Sequence, residues 1–179
     1  MYQEIRLAGF GGQGIVLAGY LLGKAAAVYD GKNAVLTQSY GPEARGGACT
    51  AELIISDEEI YYPLVSRPHV LVLMSQEAFH KYGPSVREEG VVILDSDLVQ
   101  TNTQGERIYR VPFTRLAEGL GSRMVANVVM LGFLVAVTGL VTPQAMEEAI
   151  RTSVRERFVS LNLKAFHRGL AYPREGVVA

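Results

Sequence analysis

Two short, uninterrupted apolar runs constrain the fold of this chain more than any other feature. They are VLVLMS, at residues 70–75, and VVILD, at residues 91–95, with the segment QEAFHKYGPSVREEG of helical composition between them. Parallel strands are joined by crossover helices that cover both faces of the sheet, so such strands read as uninterrupted apolar runs. The pattern therefore predicts parallel strands in an α/β fold.

The remainder of the chain continues this alternation. A strand at residues 5–8, a Leu- and Ala-rich helix at 15–29 and a strand at 33–38 form one βαβ unit. Two further strands are expected, one in ACTAELIIS with Ala51, Leu53 and Ile55 on one face and one at 107–113. Four further helices are expected: one at 114–120 with Thr114 as its cap, one from Ser122 to Gly139, one that starts at Thr142-Pro143, and one at 161–170. We predict a single domain over residues 1–179, an open, mostly parallel Rossmann-like sheet with helices on both faces.

Composition excludes several classes of function. The formal net charge of −1 gives no overall basic field for nucleic acid or a membrane surface. Cys49 is the single cysteine and the three histidines are scattered, so the sequence offers no disulfide framework and no zinc or iron-sulfur ligand set. The N-terminus has an early acidic residue, Glu4, and no long apolar run, so it does not resemble a signal peptide. The apolar stretch at 124–137 is shorter than the roughly 20 residues of a membrane span. We therefore expect a cytoplasmic location.

The first turn, GFGGQG, follows a predicted strand and precedes a predicted helix. Gly9, Gly11 and Gly14 match the G-x-G-x-x-G pattern, whose backbone N–H groups and helix N-terminus attract a phosphate or another anion. A dinucleotide site also needs an acid at the end of the second strand, but that strand ends at Thr37-Gln38, and Asp30 precedes it. The turn is therefore an anion site or only a close contact between helix and strand, and NAD is the weaker ligand.

The second loop of interest is SYGPEARGG, residues 39–47. The loops after parallel strands meet at one edge of a sheet, so this loop should lie beside the glycine turn if the two strands are parallel neighbours. Arg45 would then supply a fork of donors, and Gly46 and Gly47 would allow close backbone approach. Alternatively, Arg45 pairs with Glu43 or a nearby carbonyl, and the glycines only end a turn.

Several separated motifs carry a family resemblance that covers residues 5 to about 166. In chain order they are GFGGQG, QSYGPEARGG, ISDEEIYYP, LMSQEAFHKYG, LDSDLV and RMVANVVMLGFLVAVTGLV. Together they resemble the gamma subunit of 2-oxoacid:ferredoxin oxidoreductases, with QSYGPEARGG favouring the 2-oxoglutarate branch or a related branched-chain and pyruvate-like group.

The resemblance implies a complex that oxidatively decarboxylates a 2-oxoacid, most nearly 2-oxoglutarate, transfers the acyl group to coenzyme A and reduces ferredoxin. Such complexes use thiamine diphosphate, magnesium, iron-sulfur clusters and coenzyme A. This chain has one cysteine and no GDG-to-Asn thiamine diphosphate signature, so it is expected to be inactive alone, to bind none of these by itself and to act with alpha, beta and ferredoxin-like delta subunits. The resemblance assigns no catalytic residue here.

Two roles for the loops remain open within such a complex. They hold a phosphate-bearing ligand, with coenzyme A as the candidate, or they contact a neighbouring subunit through Tyr40 and Arg45, and the second is slightly favoured. The candidate site consists of Gly9, Gly11, Gly12, Gln13, Gly14, Arg45, Gly46 and Gly47. A free-standing Rossmann-like protein that binds NAD is the alternative function, and an isolated chain with an exposed apolar patch could form a homodimer.

Two positions in the apolar stretch also carry expectations. Asn127 should bond to loop backbone near the sheet edge or face another subunit, because a buried polar group needs a partner. The helix is apolar nearly all round, so a partner subunit is expected to cover one side, and Gly132 would permit close approach there or in the core.

Asp95 and Asp97 end a strand at the edge where ligands bind, but aspartate is also a common turn former.

Overall fold

The structure, a computed structural model, describes residues 1–40, 48–105 and 107–175. The strands are β1 Tyr2–Phe10, β2 Asn33–Tyr40, β3 Ala48–Ser56, β4 Val70–Leu73, β5 Val91–Asp95 and β6 Ile108–Val111. The α-helices are α1 Ile15–Lys24, α2 Gln76–Tyr82, α3 Phe113–Gly119, α4 Ala126–Thr138, α5 Pro143–Arg151 and α6 Glu156–Ala171. None of the helices in this described part has the length and hydropathy of a membrane span.

The strands form one sheet in the order β2-β3-β1-β4-β5-β6. The neighbours β1, β4, β5 and β6 are parallel, whereas β3 is antiparallel to both β1 and β2. Residues 41–47 are too few for a crossover helix between β2 and β3, so the chain returns in the opposite direction. The predicted open, mostly parallel α/β sheet is confirmed, with one reversed strand that separates β1 from β2.

Helices cover both faces of the sheet. The larger core lies on the face that carries Ile5 and Leu7 of β1, and helices α1, α4, α5 and α6 pack on it. The smaller core, around Leu71 and Leu73 of β4, is covered by α2. The predicted alternation of β3 is confirmed, since its larger-core face carries Ala51, Leu53 and Ile55.

Helix α4 is buried along most of its length by its own chain. A Cβ atom on Gly132 would lie 2.1 Å from the carbonyl oxygen of Phe166, and one on Gly169 would lie 1.9 Å from that of Val129. The backbones of α4 and α6 therefore cross in direct contact, and only glycine fits at the crossing. The expectation that a partner subunit covers the second side of α4 is wrong, because α6 already occupies it.

The helix starts and stops follow the expected chemistry in part. The hydroxyl of Thr142 accepts a hydrogen bond of 3.2 Å from the N–H of Ala145 at the start of α5, and Gly139 ends α4 with a φ of 62°. The predicted cap role of Thr114 is wrong, because Pro112 holds that position and Thr114 lies in the first turn. Ser122 precedes a short 3-10 turn rather than α4 itself and makes no side-chain cap bond.

Candidate functional site

The described strand ends that flank the second predicted loop lie at the end of the sheet where the glycine turn follows β1. Phe10 pairs with Ala48, and Tyr40 pairs with Cys49, so the strand ends that flank residues 41–47 lie beside the glycine turn. The reversed strand β3 lies between the two parallel strands, which are therefore not direct neighbours. Of the predicted site residues, Arg45, Gly46 and Gly47 lie outside the described residues.

Gln13 fills the crevice between β1 and β4. Its Oε1 accepts a hydrogen bond of 2.9 Å from the N–H of Phe10, and its Nε2 donates one of 2.7 Å to the carbonyl of Met74. The helices after β1 and β4 lie on opposite faces, so this crevice is the switch point where open α/β sheets bind ligands. This position of the Gln13 side chain depends on Gly9, because a Cβ there would lie 2.3 Å from Oε1.

Gly14 closes the turn and is held in place by a side chain of the distant helix α4. It has a φ of 74° at the N-cap of α1, and the Nδ2 of Asn127 donates a hydrogen bond of 3.1 Å to its carbonyl oxygen. A Cβ on Gly14 would lie 2.4 Å from that Nδ2. The prediction that Asn127 bonds to loop backbone near the sheet edge is confirmed.

Gly11 and Gly12 form the part of the turn that is open to solvent. Both are exposed, and a Cβ on either would meet no atom within 4 Å. Gly12 has a φ of 94°, a conformation that favours glycine, whereas the φ of Gly11 is not positive. The first turn of α1 carries no acidic side chain, so the partial positive charge of the helix start is not offset by a carboxylate of that turn. An anionic group could approach the backbone at these two residues.

A small cavity of about 170 Å³ adjoins this open part of the turn. Its walls include six residues absent from the sequence-based site, namely Phe10, Met74, Thr114, Arg123, Met124 and Ala126. Met124 is 84 % exposed. The sequence carries one sign of this wall, because Arg123 and Met124 directly follow the Gly121-Ser122 turn at the start of the apolar stretch. The volume is below that of typical sites for drug-sized ligands, so the cavity suits a phosphate-sized group or one side chain.

The aspartates at the same edge bind backbone rather than face the cavity. Asp95 has no exposed surface, and its Oδ2 accepts hydrogen bonds from the N–H and hydroxyl of Thr114 at 3.2 and 2.6 Å. Asp97 accepts the N–H of Arg115 at 2.9 Å. Both carboxylates therefore fix the first turn of α3, and burial raises the pKa of Asp95.

Asp30 is also engaged elsewhere. Its two carboxylate oxygens accept the N–H and the hydroxyl of Thr142, each at 2.7 Å, at the N-terminus of α5. This position precedes β2, as expected, at the opposite edge from the glycine turn. Asp30 therefore cannot hold a ribose at that turn.

Cys49 is a buried residue of β3, and burial raises the pKa of its thiol. A thiol with a raised pKa is less ionised at neutral pH and so is a poor nucleophile or metal ligand. In the part of the chain that the structure describes, no three His, Cys, Asp or Glu side chains are grouped to hold a metal ion.

Comparison with known proteins identifies the family. The pyruvate ferredoxin/flavodoxin oxidoreductase family matches residues 4–172. The 2-oxoglutarate synthase subunit KorC of Methanocaldococcus jannaschii is 51 % identical over 179 residues, which cover 98 % of this chain and 96 % of that relative.

Solved structures agree with this match. The gamma subunit of a keto/oxoacid ferredoxin oxidoreductase from Geobacter sulfurreducens PCA is 43 % identical, with a TM-score of 0.86 over 94 % of each chain. The fold also matches 32 % of a longer chain of the 2-oxoglutarate:ferredoxin oxidoreductase of Magnetococcus marinus, with a TM-score of 0.87 at 22 % identity over 99 % of this chain. This chain belongs to the pyruvate ferredoxin/flavodoxin oxidoreductase family.

Proposed function

We propose that this chain is the gamma subunit of a 2-oxoglutarate:ferredoxin oxidoreductase. The observation that carries the proposal is the 51 % identity to a 2-oxoglutarate synthase subunit along nearly the full length of both chains. The complex oxidatively decarboxylates 2-oxoglutarate, transfers the acyl group to coenzyme A and passes the electrons to ferredoxin. The chain is a subunit of this enzyme, and we assign the catalytic side chains to other subunits.

The alternative function, a free-standing protein that binds NAD, is not supported. The side chain of Gln13 occupies the crevice in which a dinucleotide would lie, and Asp30 is bound to Thr142 at the opposite edge. The relatives are subunits of oxidoreductase complexes.

The cofactors of the reaction belong, in this proposal, to other subunits. An iron-sulfur cluster needs several thiolates, and the single, buried Cys49 does not fit one. We assign thiamine diphosphate, magnesium and the clusters to alpha, beta and ferredoxin-like delta subunits, in a cytoplasmic complex. The Magnetococcus marinus chain, in which this fold makes up about a third, supports a domain that works beside other parts of the enzyme.

The glycine turn is the proposed contact for an anionic group. Gly11 and Gly12 offer open backbone at the start of α1, while Gln13 and its neighbours Gly9 and Gly14 hold the turn in shape. Arg45, Gly46 and Gly47 are proposed to complete the site. The anion is a phosphate of coenzyme A, whose thiol accepts the acyl group, or a carboxylate of a neighbouring subunit.

The substrate is tested with the assembled complex. Reduction of ferredoxin is measured with coenzyme A and, in turn, 2-oxoglutarate, pyruvate and a branched-chain 2-oxoacid. The proposal expects the highest kcat/KM with 2-oxoglutarate. A higher kcat/KM with either of the other acids would contradict the assignment of substrate.

The site is tested with Gly11→Ala and Arg45→Ala in the same complex. A contact with coenzyme A predicts a raised KM for coenzyme A at unchanged subunit stoichiometry. A contact with a subunit predicts weaker assembly and an unchanged KM in the complex that still forms. If both quantities stay at their wild-type values, the proposed site is wrong.

A further inference from the structure

A second conspicuous surface lies at the end of the strands opposite the glycine turn. Residues 57–64, here called the tyrosine segment, follow β3 and correspond to the motif DEEIYYPL. Three apolar or aromatic side chains in this segment project into solvent: Tyr61 is 87 % exposed, Tyr62 65 % and Leu64 53 %. Single exposed apolar residues are ordinary, whereas three within four positions form a cluster of the kind that interaction surfaces contain.

The tyrosine segment is irregular in structure but is held at both ends. Near its start, the Nδ2 of Asn33 donates to the carbonyl of Glu58 at 3.1 Å, and Ser56 Oγ accepts the N–H of Glu58 at 3.0 Å. After its end, the carbonyl of the buried Val65 accepts a hydrogen bond of 2.8 Å from Arg6. Its exposed side chains are thus presented from a fixed base, which lowers the entropy lost on binding.

A hydrogen bond inside the segment orders the most exposed ring. The hydroxyl of Tyr61 donates to Oε2 of Glu59 at 2.7 Å, and this bond raises the pKa of Tyr61. The bond tethers the hydroxyl of a side chain that is otherwise 87 % exposed. Tyrosine side chains are typical anchors of protein interfaces.

The charges around the anchors define the chemistry of the partner. Asp57 is paired with the N-terminal ammonium group at 2.6 Å, which leaves the exposed Glu58 and Glu59 as the acidic groups beside the tyrosines. Arg67 is the nearest basic residue along the chain after the segment. A complementary surface would offer an apolar pocket for the two rings and Leu64, bordered by lysine or arginine.

We propose that the tyrosine segment is a docking site for an apolar pocket with a basic rim on another subunit of the oxidoreductase. The inference rests on the proposed function, because it takes the partner from the same complex. Tyr2 pairs with Ser56 at one end of β1, and Phe10 pairs with Ala48 at the other. By the rise of an extended strand, the segment starts about 26 Å from the glycine turn, so the two sites can be engaged at once.

The test measures binding of the purified chain to the immobilised remaining subunits of the complex. The triple variant Tyr61→Ala, Tyr62→Ala, Leu64→Ala should bind at least about 30-fold more weakly than wild type, as expected for loss of interface anchors. Glu58→Lys with Glu59→Lys should weaken binding about 10-fold and reduce its dependence on salt. Tyr20→Ala, which truncates an exposed tyrosine on α1, is the matched control and should bind like wild type.

The outcomes separate this proposal from the proposed function. All substituted residues are exposed, so thermal unfolding of each variant should match wild type. If the triple variant unfolds early, Tyr61→Ser alone replaces it. Wild-type affinity in the folded triple variant would overturn the docking site while leaving the subunit assignment intact. Failure of the wild-type chain to bind the other subunits would overturn both.

Discussion

Asn127 on α4 and Gly14 at the start of α1 are joined by a hydrogen bond of 3.1 Å, although 113 positions separate them in the chain. The bond satisfies the polar group of a helix that is otherwise apolar over most of its length, and it fixes the carbonyl that closes the glycine turn. The shape of the candidate site therefore depends on the packing of a distant helix.

Gly14→Ala should destabilise the fold, because it places a side chain at a φ of 74° and within 2.4 Å of Asn127. We expect the free energy of unfolding, measured in urea, to fall by about 2 kcal/mol. Gly11→Ala is the control, since that position has open space and no positive φ, and should stay within about 0.5 kcal/mol of wild type. Equal losses in the two variants would contradict the assigned roles.

Gly132→Ala tests the crossing of α4 and α6. The added methyl group would lie 2.1 Å from the carbonyl oxygen of Phe166, so the two helices must separate. Denaturant titration should show a loss of about 3 kcal/mol. A methyl group on the exposed Gly119 of α3 would meet no atom within 4 Å, so Gly119→Ala should instead stabilise the protein by about 0.5 kcal/mol. A neutral Gly132→Ala would mean that the helices do not touch there.

The buried carboxyl of Asp95 should make stability depend on pH. Burial raises its pKa above the usual 3.8, so the folded state retains the proton while the unfolded state ionises. The free energy of unfolding of wild type should therefore fall, relative to Asp95→Asn, as the pH rises above 3.8. Urea titrations of both proteins across this range measure the difference. If the free energy of unfolding of wild type instead rises with pH relative to Asp95→Asn, the sign is reversed and the carboxylate is the favoured form.

His69 should act in the opposite direction. Its Nδ1 accepts a hydrogen bond of 2.9 Å from the N–H of Glu4, and burial, together with the charge of Arg87, lowers its pKa below the usual 6.5. Because the unfolded state gains the proton first, stability should be lost as the pH falls through 6.5 and below. In His69→Asn, which keeps an acceptor and does not titrate, this loss should disappear. Parallel profiles for the two proteins would rule out His69 as the source.

The sequence predicted most of the fold because the buried strands have a distinctive pattern. The run VVILD at Val91–Asp95 is the observed β5, and ACTAELIIS at Ala48–Ser56 is the observed β3. Uninterrupted or strictly alternating apolar residues leave little choice of structure. The reversal of β3 was not predicted, although the short connection at residues 41–47 already required it.

Long-range packing explains what the sequence did not reveal. The pattern of α4 shows that it must be covered, but it cannot show whether α6 or another subunit does so. Thr114 resembles a helix cap in the sequence, yet the carboxylate of Asp95 engages it instead. In the same way, the side chain of Gln13 gives no sign in the sequence that it reaches the carbonyl of Met74.

A subunit omission experiment tests whether this chain is a required part of the enzyme. The other subunits of the complex are purified without this chain, which is then added back in increasing amounts while the reduction of ferredoxin by 2-oxoglutarate and coenzyme A is measured. We expect little activity without the chain and a rise that saturates at one chain per set of the other subunits. Full activity without the chain, or no response to its addition, would refute the proposed function.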